Sequence, residues 1–218
     1  MANEESVMHA KFLKWILTLS ICLFVTTSSA QQSSTVEMVT GIGNGDFDAG
    51  VEHIVELAKN GNGTATFIYA NLFKEAGDGQ AYVKYLGLAA QQSNPIAMKF
   101  LGMAHFSGAF GEPNYREARM WFEKAAGFRN VNSLVYLGII NRDGLGKSRD
   151  PKTAYFWFTL AGKIKSPKAG QKEPSDFAAE IANEVSAKDR EDVMNAVAAW
   201  LEEHPPIATV SIPPIHDF

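Results

Sequence analysis

An all-α fold, a solenoid of stacked helical hairpins, is what this sequence predicts, and three observations predict it. Sliding the chain by 36 residues superposes residues 95–130 on 131–166, and periods of this length mark arrays in which each unit packs on its neighbours. The identities fall at structural places: Leu101-Gly102 on Leu137-Gly138, Gly108 on Gly144, Ala118 on Ala154, Trp121-Phe122 on Trp157-Phe158, and Ala125 on Ala161. Each unit also reads as helix, glycine-containing turn, helix. Finally, small residues (Gly102, Ala118, Ala125) let helix axes approach while the Trp and Phe fill the space between successive hairpins, which is how a solenoid builds a continuous core from local pairs. Trp121 and Trp157 are accordingly expected to be wedges between hairpins.

Taken from the N-terminus, the chain starts with an export signal. Lys11 and Lys14 precede an apolar run over residues 15–25, which has the length of a signal-peptide core and is too short to span a bilayer. Ser28 and Ala30 then supply the small residues that signal peptidase needs at −3 and −1, so cleavage is expected after Ala30 and the mature chain is expected to start at Gln31. Residues 1–7 are acidic and Met8 opens a normal basic region, which makes Met8 an alternative start. The only cysteine, Cys22, lies in the apolar run behind a bulky Ile21, unlike a lipoprotein signal. Cleavage removes it, so the mature protein has no thiol chemistry, as suits an oxidising compartment.

Residues 31–45 read as a polar leader and 46–61 as a lone helix capping the first hairpin. Residues 64–92 form a shortened unit, in which Tyr85 stands where the next unit has Trp121, Ala89-Ala90 where it has Ala125-Ala126, and Asp78 where it has the Asn114 cap. In the second unit, residues 95–130, Pro95 suits a first helical turn and Gly108 a helix end. Asn114 and Asp150 occupy equivalent cap positions before the second helices of this unit and the third, residues 131–166. Residues 174–203 read as closing helices, with Phe177, Ile181, Val185, Val193, Val197 and Leu201 at helical spacing and a new start signal at Ser186. Residues 204–218, with four prolines, read as an extended tail.

Composition narrows the function. With 20 basic against 24 acidic side chains in 218 residues and a net charge of −4, there is no basic field for nucleic acid. Gly144-Leu-Gly146-Lys147-Ser148 imitates the end of a phosphate-binding loop, yet Asn141 stands where its first glycine belongs, and a helix precedes it instead of a strand. The segment from Asn44 to Ala49 imitates a calcium loop, but Ala49 replaces the turn glycine and Val55 the closing glutamate, so it reads as a helix cap. His53, His105, His204 and His216 are scattered without metal-binding spacing, and His105 is expected at an aromatic core position of the repeat. Glu52 and Glu56 read as a solvated helix face. No nucleophile–base arrangement is visible, which disfavours an envelope hydrolase, and nothing in the chain asks for a cofactor or metal.

The motif of Leu-Gly, a glycine-rich loop, an Asp or Asn, then Ala-x-x-Trp-Phe-x-x-Ala-Ala resembles the Sel1-like repeat, a relative of the tetratricopeptide repeat, over residues 46–166 and most specifically over 95–166. The family often has Tyr where this chain has His105 and Asn141. The resemblance implies a right-handed α-solenoid without enzymatic activity, whose concave face, lined by the first helix of each hairpin, binds other proteins. With the Leu-Gly pair as register, the positions on that face are Phe67, Asn71 and Lys74, then Lys99, Met103 and Phe106, then Val135, Ile139 and Arg142. For Val135 and Ile139, packing against a neighbouring helix is an equally good reading. Apolar groups interleaved with three cations would suit a protein segment carrying aliphatic anchors and carboxylates. The expected role is an exported adaptor or regulator, periplasmic or secreted and with no stable membrane insertion after cleavage. The alternative is an immunity protein that neutralises a secreted toxin in the periplasm.

Overall fold

The computed structural model describes residues 47–164 and 173–206. Among these residues the chain forms α-helices joined by short turns: α1 Phe47–Lys59, α2 Gly63–Glu75, α3 Gly79–Gln91, α4 Pro95–Ser107, α5 Tyr115–Ala126, α6 Val131–Asp143, α7 Pro151–Ile164, α8 Pro174–Ile181 and α9 Ala187–Glu203, with a 3₁₀ turn at Ala182–Glu184. They make an all-α solenoid of helical hairpins that divides after Ser93 into two units.

In the first unit α2 and α3 form a hairpin and α1 packs on α2. Its core is Ile54 and Ala58 from α1, Phe67, Ile68 and Ala70 from α2, and Leu86, Ala89 and Ala90 from α3. Asn62 starts α2 by accepting the Thr64 and Ala65 amides at 3.1 and 3.0 Å. Asp78 starts α3 by accepting the Ala81 amide at 3.0 Å. Gln92 ties the helices together, its Oε1 meeting the Thr66 hydroxyl and its Nε2 donating to the Ala58 carbonyl at 3.4 Å.

The second unit, Asn94–Pro206, holds the hairpins α4–α5 and α6–α7 and the closing helices. One set of backbone contacts repeats with the period. The Ala109 and Leu145 amides donate to Ala104 and Ile140 at 2.9 and 3.0 Å, and the Asn114 and Asp150 amides donate to His105 and Asn141 at 2.8 and 2.9 Å. Gly108 and Gly144 make these turns at φ 76° and 68°, where a side chain would be strained. The first helices begin alike: Asn94 and Asn130 cap α4 and α6 from side chains 36 positions apart. Each follows a non-glycine residue in the left-handed region, Ser93 at φ 64° and Arg129 at φ 59°. An asparagine cap contributes about 1 kcal/mol, comparable with the cost of the left-handed residue before it.

The core assigns the aromatic pairs differently from the sequence expectation. Phe122 and Phe158 are fully buried, whereas Trp121 and Trp157 are only half-buried, with the Lys124 ammonium 4.4 Å over the Trp121 ring and Phe156 edge-on to Trp157. Adjacent helical residues point about 100° apart, so one member of each pair faces inward, and the phenylalanine holds that place. Gly102 and Gly138 exist for these rings: a Cβ at Gly102 would lie 2.5 Å from a Phe122 ring atom, and one at Gly138 would overlap Phe158 as severely. His105 is likewise half-buried and meets the exposed Phe110 edge-on at 5.2 Å, outside the core position expected for it.

After α8 the chain reverses through the 3₁₀ turn, and α9, capped by Ser186, packs on α7. Val193 and Val197 enter the same core as Phe122, Leu134, Leu137 and Leu160, with Trp200 and Leu201 against it. Lys152 pairs with Asp189 and Asp192 at 2.6 and 3.6 Å, and Arg129 donates to the His204 carbonyl at 2.6 Å beyond the end of α9. The closing helix therefore lies against the second helix of the last hairpin and takes up its apolar face.

Candidate functional site

The candidate positions lie on the first helices of the hairpins, three on α2 of the first unit and six on α4 and α6 of the second. On α2, Phe67 is 3% exposed and belongs to the core. It offers no surface to a partner, contrary to the register-based expectation, because α2 is buried along most of its first two turns. Asn71 is half-buried and donates to the Phe67 carbonyl at 2.9 Å, a bond within its own helix. Lys74 alone of this trio is exposed, its ammonium 5.9 Å from the Tyr82 ring. Sequence reasoning missed an aromatic group in this unit: Phe73 stacks on Tyr85 at 5.1 Å, and Tyr69 stands edge-on to both. Its signal was the spacing of Tyr69 and Phe73 by one helical turn.

On the second unit the six positions occupy matched turns of α4 and α6, two helices in contact. Lys99, Met103 and Phe106 are repeat equivalents of Val135, Ile139 and Arg142, and all six are half-buried. Phe106 works chiefly from below, edge-on to Tyr115 and Tyr136 at 5.5 and 5.1 Å, in a group where Phe122 and Tyr136 stack at 4.8 Å. Met103 and Val135 lean on the main core. Val135 and Ile139 lean on a second one formed by Ala154, Phe158, Ala178 and Ile181, so the packing reading of these two residues holds in part, and each still keeps some exposed surface.

The two cations differ in kind. Arg142 grips Asp143 with two hydrogen bonds, Nε to Oδ1 at 2.7 Å and Nη2 to Oδ2 at 2.9 Å. These bonds hold the Asp143 carboxyl below the usual carboxylate range. The guanidinium also sits 6.0 Å from the centres of the Phe158 and Phe177 rings. Arg142 thus already has a carboxylate partner within the chain, which the steering role expected of it did not include. Lys99 has its ammonium 3.9 Å over the Phe100 ring, and burial pushes its pKa down.

Elsewhere an open cleft of about 400 Å³ lies between α7 and α8, lined by Tyr155, Thr159 and Lys163 on one side and Ser175, Ala178 and Ala182 on the other. Among the described residues its walls carry no carboxylate or histidine to act as a general base. Among the described residues no cluster of His, Cys, Asp and Glu could hold a metal ion, and no helix is long and apolar enough to cross a membrane.

Repeating hairpins with a buried Phe over a helix glycine define a class, the helical-repeat scaffolds. Residues 95–126 and 131–163 match the Sel1 repeat model, so the chain carries Sel1 repeats over this stretch. Sel1 repeats are protein-interaction modules, and their fold is typically a non-catalytic scaffold. Among solved structures, the chain is similar to a protective antigen present in uropathogenic Escherichia coli strains that displays an SLR fold, with a TM-score of 0.59 and 20% identity over 78% of this chain. The match spans 38% of that protein's length. A Sel1 repeat protein from Oxalobacter formigenes aligns with a TM-score of 0.51 and 21% identity, over 58% of this chain and 95% of its own. No curated protein matches the chain.

Proposed function

We propose that the chain is an exported interaction module, an adaptor or regulator that holds a protein partner on the first-helix face of its second unit, through Lys99, Met103, Val135 and Ile139. The observation that carries this reading is the placement of α9. By burying Val193 and Val197 against the second-helix side, the closing helix takes up that side of the last hairpin, while the row on α4 and α6 keeps part of its apolar surface exposed. A partner segment with aliphatic anchors suits such a row, since burial of a few central side chains supplies most of the affinity at an interface.

The test is a photo-crosslinking residue placed at Met103, with a second at Met194, which is 40% exposed on α9. In the native host, position 103 is expected to give a discrete crosslinked protein and position 194 none. Crosslinks from 194 with none from 103 would put the partner on the other side. Mass spectrometry of the product also separates the adaptor role from a toxin-neutralising one, because a secreted toxin would be recognised as such.

Export rests on the basic start, the short apolar run and the Ser28/Ala30 end occurring together. N-terminal sequencing of the fractionated protein is expected to read from Gln31. A cytosolic protein that begins at Met1 or Met8 would refute this part of the reading.

A further inference from the structure

We propose that Lys99 is the anchoring point for a single carboxylate of the partner, an Asp or Glu set among aliphatic residues, and that Arg142 takes no part in capturing charge. The inference rests on the first-helix face being the binding face and says what that face selects.

Most described cations of the second unit fall into three groups; Lys99 and the half-buried Lys147 fall into none, and of these two Lys147 lies near enough to Asp150 to lower that carboxyl's pKa. The first group is paired: Arg142 with Asp143, Arg149 with Glu184, Lys152 with Asp189 and Asp192, and Arg119 with Glu123. The second is spent on backbone carbonyls, as Arg190 is on Ala182 and Val185, and Arg129 on His204. The third, which includes Lys124, Lys163 and Lys188, is exposed to water. Lys99 is half-buried, and no carboxylate among the described residues pairs with it; the Phe100 ring face is its compensation.

Partial removal of an ammonium from water costs free energy unless an opposite charge compensates, and a ring face compensates only in part. The lowered pKa of Lys99 reports the same shortage. A carboxylate arriving from outside would supply the missing charge at a half-buried place, beside the Phe100 ring and one helical turn from the apolar Met103. A half-buried ion pair is stronger than the exposed pairs on the rest of the surface.

One carboxylate fits better than a polyanion. Arg142 and Arg149 are already paired with Asp143 and Glu184, so a run of phosphates or acidic side chains would meet compensated pairs after the first contact. The apolar positions Met103, Val135 and Ile139 beside it ask for aliphatic neighbours.

A displayed library of random twelve-residue peptides, selected on the exported chain at low salt, tests this. Wild type is expected to enrich peptides with one acidic residue among aliphatic ones, and synthetic winners are expected to bind Lys99→Met at least about tenfold more weakly. Selection on Lys99→Glu is expected to replace the acidic residue by Lys or Arg, while Asp143→Asn, which frees Arg142, leaves the acidic preference in place. Acidic winners that bind Lys99→Met and Lys99→Gln as tightly as wild type, with circular dichroism showing folded variants, overturn the inference. Winners without an acidic residue that still lose binding in Met103→Glu leave the face and remove the carboxylate. If no winner is weakened by Met103→Glu, the face itself is wrong and the inference falls with it.

Discussion

Phe122→Ala is expected to destabilise the chain by about 3–5 kcal/mol, a large share of the total stability of a domain. The ring is fully buried, stacks on Tyr136 at 4.8 Å and joins α5 to α6 and α9 in a single core. Removing it also leaves Gly102 without the group that fills the space beside it, so the cavity lies between two helices that cannot easily collapse. The melting midpoint is expected to fall by on the order of 10 °C. Trp121→Ala gives the contrast. That side chain is larger, but it is half-buried beneath Lys124, and its loss is expected to cost about 1–2 kcal/mol. Equal effects in the two variants, measured by denaturant unfolding, would show that the tryptophan shares the wedge role.

That contrast marks where sequence reasoning stops. The 36-residue period, the Leu-Gly pair and the Trp-Phe pair are visible in the chain, and they lead to hairpins, turns and the Gly108 and Gly144 helix ends. Which member of an adjacent aromatic pair turns inward is not visible, since both alternatives satisfy the same amphipathic pattern within one residue of rotation. The asparagine caps at Asn62, Asn94 and Asn130 were legible in principle from their spacing, but they sit behind left-handed residues, Gly61, Ser93 and Arg129, of which only the glycine announces itself. The placement of α9 involves a 3₁₀ turn and contacts between residues 37 and 75 positions apart, Lys152–Asp189 with α7 and Arg129–His204 with the turn between α5 and α6. At the candidate site, Lys99 and Arg142 are both simply cations in the sequence. Their difference arises because Asp143 adjoins one of them and Phe100 lies beneath the other.

Gly138→Ala is the second large effect, and its sign is diagnostic. Position 138 is in the interior of α6, where alanine is better than glycine by about 1 kcal/mol on helix propensity alone. In an isolated helix the substitution would stabilise. Here the new methyl group would overlap the ring of Phe158, which is fully buried, stacked on Phe177 at 5.3 Å and packed against Ile181. The ring has no free direction in which to move, so the overlap must be relieved by spreading α6 from α7. Overpacking of this kind costs about 1–3 kcal/mol and occasionally more, which outweighs the propensity gain. The same methyl group is expected to be tolerated once the ring is gone. In a Phe158→Leu background, Gly138→Ala should be neutral or stabilising, because leucine lacks the ring edge that approaches the helix. A double-mutant cycle by denaturant unfolding reads this directly as a coupling between positions 138 and 158. Additive effects of the two substitutions would mean that glycine is held at this position by something other than the ring, and that the close approach of α6 and α7 does not depend on the Gly–Phe pair.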